Sequence, residues 1–346
     1  MGSLKNEKSQ QLFGIIDIAK FIFAFSVIFI HSGEGIIQNP YLACVVNSFN
    51  SLAVPFFFIT SGFFFFKKIY SAQSDENARS YIKKYIFKLI KVYTIWSALM
   101  LPLRIAISES NVIVAFIKAV RIYLFIGDGQ LWYMNALIVG LILIVILRKL
   151  KVPDYAVALI SVVLFIIGIF INAYLESTPV SEYNAVLKIY YLIWGSNVKN
   201  GIFSGMLYCA IGMYLAKYAD SIHIKLNSTV ALLTALILFS VYSLSVYQEF
   251  EFRSAILPIV SIAVFVGVTK IRVTPKPYCT ILRSMSTVLY LSHYNFVRAF
   301  DSFECLSNFA PVGIKRFAVV LILSVAFSAL LVFLGEKNKK VKNLWQ

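Results

Sequence analysis

The chain has 346 residues, of which 60% are apolar, 16% aromatic and only 14% charged. So few charges cannot cover a soluble surface, where about 25% is usual, and so apolar a chain is not disordered. Lys and Arg (32) outnumber Asp and Glu (16), but the excess lies in short loops between apolar stretches, where it signals orientation and anionic-lipid contact rather than nucleic acid.

A membrane-crossing helix needs about 20 mostly apolar residues. Ten stretches qualify, at 12–31, 47–66, 86–106, 131–148, 155–174, 201–217, 229–247, 254–270, 284–300 and 316–335. Two more, 111–126 and 185–196, mix Tyr, Ile and basic residues and are predicted to lie at the interface. The fold class is therefore an all-α integral membrane protein: one bundle of about ten helices over 1–346, a cytoplasmic N-terminal segment 1–11 and a basic tail 336–346. Alternating the loops places 21 Lys and Arg on one side and 9 on the other, which predicts both termini in the cytoplasm of a cell membrane. No cleavage pattern follows the first apolar stretch, so no cleaved signal is expected. The four cysteines (Cys44, Cys209, Cys279 and Cys305) are scattered, which predicts neither a disulfide scaffold nor a metal site.

Ionisable groups inside a span are expensive and mark function. The first span, IIDIAKFIFAFSVIFIHSGEG, carries Asp17, Lys20 and His31. Eleven residues are nearly three helical turns, so Lys20 and His31 share a face, about 16 Å apart along the axis. Asp17 lies one turn before Lys20, within pairing distance. Lys20 reads either as a snorkelling lysine or as an inward cation; His31 reads as a helix-end cap or as a base. Glu34, one turn on, is placed to orient the imidazole, or is a solvated loop acid.

In VPFFFITSGFFFFKK, Pro55 kinks the start of the second span, and Ser61 and Gly62 interrupt a phenylalanine run. Small residues there permit close helix packing, or Ser61 lines a polar cavity. Lys88 and Lys91 in KLIKVYTIW sit at i, i+3 at the cytoplasmic surface, as topogenic charge or as a phosphate grip. Trp132 opens the fourth span in an aromatic belt. His293 in STVLYLSHYNFVRAF is mid-span, where a cap does not explain it, and is predicted to face a polar cavity, the alternative being a hydrogen-bonded structural histidine; His223 falls in a loop.

In order and spacing, these features resemble the acyltransferase 3 family of ten-span membrane acyltransferases, which includes bacterial polysaccharide and peptidoglycan O-acetyltransferases. The resemblance covers essentially the whole chain. It rests on D-x-x-K-x10-H (Asp17, Lys20, His31), VPFFFITSGF, the K-x-x-K pair, LWYMNAL with Trp132 and the late YLSH with His293. It implies that His31 is catalytic, with Glu34 joined to it by spacing alone, and that Lys20, Lys88 and Lys91 hold the phosphates of acetyl-CoA or another acyl-CoA, a co-substrate rather than a bound cofactor. Asp17, Ser61, Trp132 and His293 would line the cavity for the acceptor, a hydroxyl of a glycan or other cell-envelope molecule. The family usually has arginine at Lys20 and R-x-x-R at Lys88 and Lys91; lysine keeps the charge but not the planar fork. This departure is compatible with a divergent branch, including the membrane halves of VanT-type serine racemases, for which a transport-like role is an alternative.

No C-terminal hydrolase-like domain, as some members carry, is expected here, and a second acyl-transfer step would then need a separate extracytoplasmic protein. A transporter would use the same polar seam for solute uptake, but the internal repeat and paired broken helices usual in transporters are not in the sequence. A polyprenyl-phosphate sugar transferase would need more external acids than Glu34 alone.

Overall fold

The structure, a computed structural model, describes residues 2–106, 111–196, 198–219, 226–249, 253–271, 273–274 and 276–346. Among these residues all regular structure is helical. Eight helical stretches are long and apolar enough to cross a membrane, and they coincide with eight of the ten predicted spans. The other two, 201–217 and 284–300, fall on helices that miss that standard for opposite reasons. Gly201–Lys217 is apolar but short. Pro277–Ser302 has 26 residues, ample length, but carries Arg283, His293, Arg298 and Asp301. The tracts 111–126 and 185–196 are helical as well, Val112–Arg121 running into a π-turn and Ala185–Trp194 standing alone.

The chain divides into two compact units, one formed by residues 1–57 with 219–346 and the other by 58–218. In the first, α1 (Gly2–Ser32) begins ten residues before the predicted span, so the expected N-terminal segment is already helical. The chain then enters α2 (Pro40–Ser51) and α3 (Ala53–Tyr70). Pro55 has no N–H to offer the Ser51 carbonyl, and α2 ends at Ser51; what the sequence suggests as a kink is a break around Leu52. Proline then sits in the first turn of α3, where its missing donor costs nothing.

The second unit takes most of α3, then α4 (Asp75–Ala106), α5 (Val112–Arg121), α6 (Trp132–Lys149), α7 (Asp154–Ser177), α8 (Ala185–Trp194) and α9 (Met206–Lys217). The phenylalanine run supplies its core: Phe58, Phe65 and Phe66 are fully buried, with Phe65 packed on Tyr81 and Tyr85 of α4. Gly62 and Gly212 do what small residues inside spans usually do. A Cβ on Gly62 would lie 2.6 Å from the Cys209 carbonyl oxygen, and one on Gly212 would run into that of Ile59. Helix backbones therefore touch here, and in lipid such close packing replaces the hydrophobic drive of water. Gly212→Leu is expected to lower the detergent melting temperature by several degrees, through overpacking of about 1–3 kcal/mol; unchanged melting by fluorescence-detected gel filtration would contradict this contact.

The first unit is completed by α10 (Ser228–Tyr247), α11 (Arg253–Lys270), α12 (Pro277–Ser302), the short α13 (Glu304–Phe309), α14 (Ile314–Lys337) and α15 (Lys339–Lys342). The polar helix α12 packs on both α1 and α14, and its buried residues include Ser286, Ser292 and His293. Shelter by neighbouring helices explains why a helix this polar is tolerated among apolar ones. The basic tail folds back, with the Trp345 indole against Gly335 of α14.

Candidate functional site

α1 carries His31 in its last turn. Ser32 donates its hydroxyl to the Ile28 carbonyl at 2.8 Å, and the chain leaves the helix through Gly33 and the positive-φ Gly35. The His31 ring, half-buried, packs against α12: its centroid lies 5.4 Å from that of His293, at 34°, and 5.1 Å from that of Tyr294, edge to face. His293 is completely buried. Its Nδ1 lies 3.0 Å from the Leu289 carbonyl oxygen, while Nε2 is buried without a hydrogen-bond partner. The hydroxyls of Ser292 on α12 and of Ser324 and Ser328 on α14 are likewise buried without partners, so the packed faces of these helices hold uncommitted polar groups.

Midway along α1, both carboxylate oxygens of Asp17 are held by Arg283 of α12, at 2.8 Å to Nε and 2.7 Å to Nη2. This two-pronged pair was not legible as such: Arg283 reads in the sequence as topogenic charge, and Asp17 as a partner for Lys20. The available signal was the acid itself, since a carboxylate inside a span needs a cation. Asp17 is thus committed to joining α1 and α12, which is a different task from lining a cavity. Lys20, one turn on, is half-buried.

Glu34 is exposed on the turn after α1, and in this structure no hydrogen bond or ion pair joins it to His31. The helix ends at Ser32, so the chain has left the helical path and the one-turn spacing no longer applies. The neighbours of His31 are the α12 side chains His293 and Tyr294.

In the second unit, the Ser61 hydroxyl shares a 3.1 Å hydrogen bond with the Tyr133 hydroxyl, a partner the sequence did not reveal. Trp132, beside it, is half-buried at the start of α6, and both Trp132 and Tyr133 pack around Phe58. The loop entering α6 is ordered by Asn135, whose amide donates to the Tyr123 carbonyl at 3.2 Å and the Leu124 carbonyl at 3.3 Å, and by an Arg104–Asp128 ion pair at 2.7 Å. Lys88 is exposed and Lys91 half-buried, one turn apart on α4. His223 lies outside the described residues.

Comparison with known proteins fits this arrangement. A family model described as an acyltransferase domain matches residues 13–333. Curated relatives include an amino-acid racemase of Enterococcus faecalis, 22% identical over 94% of this chain and 47% of its own length. A serine/alanine racemase of Enterococcus gallinarum is 25% identical over 83% of this chain and 41% of its own length. The chain thus spans less than half of either relative. No solved structure matches. With the family match running from the first span through α14, this membrane protein belongs to the acyltransferase 3 family.

Proposed function

We propose that this protein transfers an acetyl or other short acyl group from cytoplasmic acyl-CoA to a hydroxyl of an extracytoplasmic glycan or cell-envelope acceptor. In this reading ten helices cross the cell membrane, and both termini are cytoplasmic. The observation that carries it is an imidazole at the end of an apolar helix, packed on a second buried imidazole, in a chain matched by an acyltransferase family over nearly its whole length.

Lys88 and Lys91 supply positive charge for the CoA phosphates, Lys20 is a further cation on the helix of His31, and His31 is the group that handles the proton of the transfer. His31 takes the proton of the acceptor hydroxyl as its oxygen bonds to the acyl carbon. The carbon–sulfur bond then breaks, and the leaving thiolate recovers that proton. A route through acyl-His31 uses the same ring as nucleophile. Racemisation, which the relatives' names describe, belongs to proteins more than twice as long and is not carried to this chain. The transport alternative gains no support from the family or the relatives.

The test is to incubate membranes holding the chain, and empty membranes, with acetyl-labelled acetyl-CoA. Label should enter alkali-labile esters only where the chain is present. If acetyl-CoA is not consumed above the empty control while a solute is taken up, the reading is wrong and the seam is a transport path. Replacing Lys88 and Lys91 together by Met is expected to raise KM for acetyl-CoA by about tenfold or more with little change in kcat, as loss of charge-assisted ground-state binding does. An unchanged KM would make the pair topogenic only.

A further inference from the structure

We propose that His293 is the positioning residue for His31, the role that spacing suggests for Glu34. A carbonyl oxygen only accepts, so the 3.0 Å contact between Nδ1 and the Leu289 oxygen places the ring hydrogen of neutral His293 on Nδ1. Nε2 is then left as a lone-pair acceptor. It is buried, and no group among the described residues satisfies it, a costly state for a polar atom unless it has work to do.

Of the rings beside His293 that carry a donor, His31 has the nearer centroid, at 5.4 Å, against 6.3 Å for Tyr290 and 6.5 Å for Tyr294. A small rotation brings an N–H of His31 onto Nε2 at ordinary hydrogen-bond length, and such contacts commonly tighten only when substrate is bound. Tyr294, edge-on to His31 at 5.1 Å, limits the ring's swing on another side. An N–H held by His293 fixes the tautomer of His31 and leaves its other nitrogen as the lone pair that receives the acceptor's proton. Backbone carbonyls and carboxylates are the usual orienters of such a ring; here a second imidazole, locked by its own helix, does it. The inference rests on the reading of His31 as the group that handles this proton, but the geometry it concerns can be measured without any substrate.

The chain has only three histidines, so 15N-histidine labelling of the full chain in lipid nanodiscs gives an assignable set of ring signals by magic-angle-spinning NMR. His293 is expected as the Nδ1–H tautomer and His31 as a single tautomer. His293→Gln, which keeps an acceptor near the Nε2 position, should leave the His31 signals in place. His293→Asn, which keeps only the bond to Leu289, and His293→Phe should convert them to a mixture. With acetyl-CoA, the Asn and Phe variants should lose about 10²-fold in kcat with KM unchanged, and the Gln variant should recover to within about tenfold of wild type.

The proposal is overturned if His293 carries its hydrogen on Nε2, or if the His31 signals ignore all three substitutions. It is also overturned if folded Asn and Gln variants, matched by gel filtration, lose activity equally, since that marks packing rather than an acceptor. If the His31 signals respond as expected but wild-type membranes consume no acetyl-CoA, the positioning stands and the acyl-transfer reading falls.

Discussion

His31→Ala is expected to abolish acyl transfer, lowering kcat by at least about 10²-fold, the range a positioned general base contributes. The protein should still fold, because the ring is only half-buried and its removal leaves no buried charge behind. Its contacts are with rings, His293 and Tyr294, so Ala mainly opens space beside α12. Labelled acetyl-CoA binding should persist while transfer to acceptor stops, the pattern of a group used in the transition state and not in ground-state binding. His31→Gln separates the two chemistries: Gln accepts a hydrogen bond but is neither base nor nucleophile, so it should be as inactive as Ala. Retained turnover in either variant would remove His31 from the reaction and with it the proposed centre.

Arg283→Met is expected to destabilise the first unit. It leaves the Asp17 carboxylate, only 3% exposed, without the cation that holds both its oxygens. Stranding a buried charge costs about 3–5 kcal/mol. Because the Arg283 side chain is 47% exposed, solvent screening reduces this to about 2 kcal/mol, which still lowers the melting temperature by several degrees. Asp17→Asn should cost less, since the arginine left over reaches water. The double variant should be more stable than Arg283→Met alone, because the stranded charge is gone; fluorescence-detected gel filtration across the four proteins completes the cycle. Equal losses in the two single variants with additive behaviour in the double would mean that the pair is not desolvated.

These two predictions separate what is local in the chain from what is not. Hydropathy and length alone placed eight spans on helices that qualify for a membrane, since lipid demands long apolar helices wherever they sit in the fold. His31 and His293 were legible because a titratable ring inside an apolar run is conspicuous against its neighbours. The Gly62 contact was legible because a small residue in a phenylalanine run has few other uses.

Partners were not legible. Asp17 and Arg283 are 266 positions apart, and a helical-spacing rule reaches only three or four residues. The same rule assigned Glu34 to His31 by assuming a helix that in fact stops at Ser32. The stretch 284–300 was counted as a span from its sequence, but which helices shelter the polar residues of α12 was not legible; they are α1 and α14. The sequence by itself therefore determined that this is a helical membrane protein of the acyltransferase 3 pattern and which ionisable side chains stand out in it. Only the tertiary structure decided which of them meet, because helix packing brings together side chains whose separation along the chain carries no periodic signal.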